Sequence, residues 1–184
     1  MANVMTTRVQ FKNLNEQTFG KLIDLLPFEG ESSGQVNIES HLGKLFEDEW
    51  DGKFEQGWML DNIGSKSIKI EYYSTDFEPQ LDVTIETAWS FPEQWCEKVA
   101  EVLTQIDSSV VLVGTYEDET NEPMGAFVFG YQYSDHEDLE VEIDFDRWDD
   151  DDEYRDEIYG ELDSLMDDLY DGYLQSMEDN NTED

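Results

Sequence analysis

A chain of 184 residues is long enough for one ordinary domain with an appendage and too short for two large ones. Forty-seven Asp and Glu against ten Lys and Arg give a net charge of -37, which leaves no basic footprint for direct binding of nucleic acid or of an anionic membrane surface. Hydrophobic residues make up 38% of the chain and aromatic residues 13%, too much for a chain held disordered by its charge, so the body is expected to fold.

The charge is uneven. Residues 1–98 carry 18 acids and 8 bases, net -10, whereas residues 99–184 carry 29 acids and only Arg147 and Arg155, net -27. Such a concentration repels itself unless salt or a cationic partner screens it. Cys96 is the only cysteine, which excludes an internal disulfide and fits a reducing compartment, so a cytoplasmic location is expected. Met1–Arg8 has no apolar signal core, and no stretch approaches the roughly 18 to 20 apolar residues of a membrane span.

Residues 5–11 alternate with the strand period, Val9 and Phe11 on one face and Arg8, Gln10 and Lys12 on the other. Asn13 is placed to cap a following helix, with Glu16 three residues on; Leu22, Ile23, Leu25 and Leu26 supply its buried stripe and Pro27 ends it. Residues 28–64 hold many glycines and read as an irregular insertion, anchored by Leu45-Phe46, Trp50 and Trp58-Met59-Leu60.

Ile68, Ile70 and Tyr72, then Val83, Ile85, Thr87 and Trp89, alternate with polar partners around a turn near Ser74–Pro79, the pattern of an antiparallel hairpin with Trp89 in the core. Ser90-Phe91-Pro92-Glu93 combines a capping serine, a first-turn proline and a glutamate; Trp95, Val99, Val102, Leu103 and Ile106 then share one helical face. Val110–Tyr116 and Met124–Tyr133 read as strands, and Leu139, Val141, Ile143 and Phe145 alternate with acids as a last strand. From about Glu153 the period becomes helical, with Ile158, Leu162, Leu165, Leu169, Tyr173 and Met177 as its stripe, and Asp179–Asp184 are expected to fray.

This order predicts an α+β fold, a ferredoxin-like sandwich with an antiparallel sheet over residues 1–150, the irregular insertion at 28–64, and an acidic C-terminal helix over 151–184. Three segments, Asp61-Asn62-Ile63-Gly64-Ser65-Lys66, Thr87-Ala88-Trp89-Ser90-Phe91-Pro92 and Thr115-Tyr116-Glu117-Asp118-Glu119 followed by Gly125, resemble the YubB-type ferredoxin-like proteins of phages and conjugative plasmids over residues 5–133. The resemblance implies that fold and a mobile-element origin; it carries no catalytic residues.

The candidate partner-binding residues lie beyond it. Glu140, Glu142, Asp144 and Asp146 alternate on the predicted last strand, spaced about 6 to 7 Å apart. Asp149, Asp150, Asp151 and Asp152 follow, then Asp156, Asp163, Asp167 and Asp171 on the helix, where four residues rise about 6 Å. Fixed spacing of this kind is what a copy of DNA requires, since duplex DNA carries one charge per roughly 1.7 Å of axis. By composition the acidic part resembles the DNA-mimic inhibitors with which phages disable restriction, CRISPR or nucleoid proteins. That likeness implies a non-enzymatic inhibitor without cofactor, whose partner is a basic nucleic-acid-binding protein of the host cytoplasm.

The competing reading is an accessory or structural protein whose acidity serves solubility, salt adaptation or weak divalent-cation binding. A specific calcium loop from Asp149 is opposed by Tyr154 where the EF-hand needs glycine and Gly160 where it needs glutamate. Enzymatic readings have little to stand on: His41 and His136 are the only histidines, and no phosphate loop, nucleophile elbow or metalloprotease helix occurs.

Overall fold

In the first strand, β1 (Val4–Lys12), Met5, Thr7, Val9 and Phe11 are buried while the intervening residues face outward, because β1 has helices on one side of the sheet only. The computed structural model describes residues 3–27, 33–74 and 81–181; residues 33, 48, 72–74, 149, 180 and 181 are described by their backbone alone. The predicted turn at Ser74–Pro79 lies outside the described residues apart from Ser74; of the fraying predicted for Asp179–Asp184, residues 182–184 lie outside them, while 179–181 continue the last helix.

The first helix, α1 (Glu16–Leu25), is capped by Asn15 rather than Asn13: Asn15 accepts from the backbone of Gln17 and Thr18, and Thr18 completes the capping box. Asn13 adopts a left-handed backbone with φ 62° and donates to Ser109 O at 2.8 Å, so it closes the turn before the helix instead.

The insertion is more regular than its glycines suggest. It contains β2 (Ser33–Gln35), α2 (Ile38–Phe46), a 3-10 turn (Glu47–Glu49) and α3 (Gln56–Ile63). Asn37 caps α2 by accepting from Ser40 N, and Gly64 ends α3 with φ 86°, a conformation that favours glycine. Leu42, Leu45, Phe46, Met59 and Ile63 enter the core, and Trp58 packs against both Phe46 and Trp50; Leu60, expected as an anchor, faces outward.

Next come β3 (Ile68–Ser74), β4 (Leu81–Ala88), α4 (Glu93–Thr104), β5 (Val111–Asp118), β6 (Met124–Gly130) and β7 (Tyr133–Asp138), then α5 (Phe145–Asp150) and α6 (Asp152–Asn181). The strands form one antiparallel sheet in the order β2-β3-β4-β1-β5-β6-β7. Four helices, α1 to α4, bury one face around Leu22, Leu42, Met59, Trp95 and Leu103. Helix α6 buries the other face of β5 and β6 alone, over Val111, Val113, Ala126 and Val128.

Among the buried polar residues, His41 and Thr7 bear most on stability. His41 Nδ1 is 2.6 Å from Leu25 O, and its Nε2 accepts from Trp95 Nε1 at 2.8 Å, so the ring is a bridge between α1 and α4. Thr7 is fully buried on β1, and its Oγ1 has no hydrogen-bond partner among the described residues. Removing an unpaired buried hydroxyl at constant shape recovers its desolvation cost. Thr7→Val is therefore expected to stabilise the fold by about 1 kcal/mol, read as a raised urea midpoint with an unchanged slope.

Candidate functional site

Helix α6 sets the geometry of the acidic surface. Tyr154, Ile158, Leu162, Leu169 and Tyr173 recur at helical spacing and are buried, with Leu165, Met166, Tyr170 and Met177 half-buried beside them. Tyr173 lies so close to Gly130 that a Cβ there would meet its ring, and it packs edge-on against Tyr133 of β7 at 5.4 Å. Nearer the start of α6, Tyr159 donates to Glu117 on β5 at 3.1 Å, and Glu117 pairs with Arg8 of β1 at 2.9 Å. The stripe and these polar contacts fix the rotation of the helix on the sheet, and with it the direction of every acid.

The outer face follows from that rotation. Asp156, Asp163, Asp167 and Asp171 are exposed, and at about 100° per residue they fall within an arc of about 80°. Glu157, Glu161 and Asp168 are exposed with them, giving 7 carboxylates between residues 156 and 171. Those residues rise about 22 Å, a mean axial separation of roughly 3.7 Å over six intervals; a single strand of B-DNA carries one phosphate per roughly 3.4 Å. Arg155 is the only base on the whole helix, and it is engaged with Asp152 and with Trp148 O.

No family model, curated protein or solved structure matches the chain.

The segment before α6 differs from the expected strand. Residues 139–144 form no regular element; the last strand is β7, reached from β6 by a two-residue turn at Tyr131–Gln132 in which Gln132 has φ 55°. The last pair is Gly125 with Asp138, and after one further backbone bond, Leu139 N to Met124 O at 2.8 Å, the chain leaves the sheet. The alternation of Leu139, Val141 and Ile143 is genuine, but it packs these side chains against Met124, Tyr154 and Ile158 rather than into a sheet. Glu140 and Glu142 are thereby exposed without strand spacing. Phe145 is exposed instead of inward.

Several predicted contact residues are partly used by the fold. Asp144 caps α5 by accepting from Asp146 N and Arg147 N. Asp151 accepts from Tyr154 N and pairs with Arg147 at 2.9 Å, and both interactions hold its carboxyl below the usual aspartate range. Asp152 is engaged by Arg155. Asp146 and Asp150 are exposed, and the side chain of Asp149 lies outside the described residues.

Two further acids, Asp135 and Glu137, belong to the surface and lie between the segments that the alternation marks as strands. They pair with Val128 and Ala126, so they share the sheet face that α6 covers, and both are exposed on the edge strand. Among the described residues no group of three or more His, Cys, Asp or Glu converges as a cation cage, and no helix is long and apolar enough to cross a membrane. Cys96 is fully buried, and burial pushes its thiol well above the ordinary value, so it is poorly reactive.

Proposed function

We propose that this chain is a non-enzymatic DNA mimic that occupies the basic nucleic-acid-binding surface of a host protein, either a defence protein or a nucleoid protein. The carrying observation is the acidic outer side of α6, whose exposed carboxylates have a mean axial density close to that of phosphates on one DNA strand, on a helix anchored by its opposite face. Rigidity matters because ordering a disordered acidic tail on binding would consume part of the affinity.

The remaining features agree with this reading. The order β3-β4-β1-β5, with α1 and α4 crossing one face, supports assigning the body to the ferredoxin-like sandwiches. The YubB-type likeness of residues 5–133 points to a phage or conjugative plasmid as the source, and so to the host cytoplasm as the place of action. Steering by a net charge of -37 gives fast association that weakens with salt.

The test is capture from a bacterial lysate on the immobilised protein, followed by elution with duplex DNA. The expected result is a DNA-binding protein released by DNA at constant ionic strength. Recovery of a partner that holds DNA and this chain together, with no mutual weakening, overturns the mimicry.

A further inference from the structure

Trp89 is expected in the core by its alternation along β4, and the structure puts it at the surface, 54% exposed. Its backbone has φ 78°, a left-handed conformation that a bulky residue adopts at an energetic cost. Such conformations persist where surrounding bonds impose them and concentrate at functional sites.

The bonds that impose this one come from two of the motifs that stand out in the sequence. Thr87 Oγ1 donates to Ser90 O at 2.7 Å, Ser65 Oγ to Ala88 O at 2.6 Å, and Ser90 Oγ to Gly64 O at 2.5 Å, while Trp89 N donates to Asn3 O. Ser90 is therefore a clamp on the turn and not the cap of α4, whose first residue follows Pro92 without a side-chain cap. The clamp raises an indole out of the sheet where the strand pattern would have buried it. Lys66, next in chain to the clamping Ser65, lays its Nζ over that indole at 3.2 Å from the ring centroid.

The turn is linked through neighbouring strand ends toward α6. Ala88 pairs with Val4, which is itself exposed, and Glu119 N bonds Val4 O. Glu117, two residues back along β5, holds Tyr159 of α6.

We propose that Trp89 is a cation–π anchor for an arginine side chain of the basic partner, and that Lys66 is an intramolecular plug that the arginine displaces. The proposal rests on the reading of the partner as a basic protein. An indole face attracts cations, more strongly as water is excluded. A guanidinium is planar and less tightly hydrated than an ammonium, so it stacks better on the same ring. Tryptophan and arginine are also the residues on which interface affinity concentrates, whereas exposed charges act chiefly on the rate of encounter. The acidic face then governs association, and Trp89 governs dissociation.

The experiment needs no identified partner. The full chain, labelled with nitrogen-15, is titrated with N-acetyl-arginine amide while the indole N–H resonance of Trp89, assigned through Trp89→Phe, is followed. A saturable shift of that resonance is expected, with the midpoint moved to about 3-fold lower arginine in Lys66→Ala, the size of an exposed cation–π contact. The neutral citrulline analogue should leave it in place, and charge reversal on α6 should leave its midpoint unchanged. A Trp89 resonance that does not move, or a midpoint indifferent to Lys66→Ala, overturns the anchor even if DNA competition succeeds. A normal Trp89 titration alongside failed DNA competition instead removes the mimicry and leaves the cation site standing.

Discussion

Replacing Asp163, Asp167 and Asp171 together by lysine is expected to weaken binding to the captured partner by about 100-fold at 0.1 M salt. Each reversal removes one attraction to a basic surface and adds one repulsion, about 1 kcal/mol per site when exposed. The loss should appear mainly in the association rate and should shrink as salt rises, since the screening length falls from about 10 Å at 0.1 M to about 3 Å at 1 M. Unfolding cannot account for such a loss, because the three side chains are exposed on the face of α6 opposite its buried stripe. At Asp167 the two effects have opposite signs: it has like-charged neighbours four residues away on both sides, so Asp167→Lys alone should raise helix stability by a few tenths of a kcal/mol while lowering affinity. Calorimetry and binding kinetics on the same samples separate the two.

His41→Phe is expected to cost about 3 kcal/mol of stability at pH 7.5, because it leaves Leu25 O and Trp95 Nε1 unpaired inside the core. The same site should give a pH signature. Burial lowers the His41 pKa from its ordinary 6.5 to about 4, opposed in part by the Leu25 carbonyl. Between these values the unfolded chain binds the proton and the folded chain does not. The stability contributed by neutral His41 is thus complete above pH 6.5 and is lost as pH falls toward 4, about 2 kcal/mol of it by pH 5. Protonation of carboxylates relieves repulsion over the same range, but does so in both proteins. The stability difference between wild type and His41→Phe should therefore narrow by that amount between pH 7.5 and pH 5 in urea titrations; a pH-independent difference would contradict the bridging role.

The elements with strong periodicity were legible in the sequence: α4 from Trp95, Val99 and Leu103, the β3-β4 hairpin from Ile68, Ile70, Val83 and Ile85, and α6 from its stripe at Ile158, Leu162, Leu169 and Tyr173. The helices of the insertion were not, because Gly43 and Gly57 lie within α2 and α3 and weigh against a helix, while the cap at Asn37 and the left-handed stop at Gly64 are single-residue signals. Alternation at 139–145 misled for a different reason. A period of two reports which side chains are buried, not whether a neighbouring strand remains to pair with, and beyond Met124 none does. Trp89 was misplaced because hydroxyl bonds from Ser65, Thr87 and Ser90 override the strand pattern, and two of them, Ser65 to Ala88 O and Ser90 to Gly64 O, arise only after distant segments meet. Of the acidic residues, Asp156, Asp163, Asp167 and Asp171 lie on a helix as their spacing predicts, whereas Asp144 and Asp151 serve first as caps.

Mimicry is tested most directly by measuring the affinity of this chain for its recovered partner at increasing concentrations of duplex DNA, at fixed ionic strength. If the outer face of α6 occupies the DNA site, the apparent Kd rises in proportion to DNA concentration without levelling off. An apparent Kd that reaches a plateau, or does not change, would mean that both ligands bind at once and that the acidic face does not take the place of DNA.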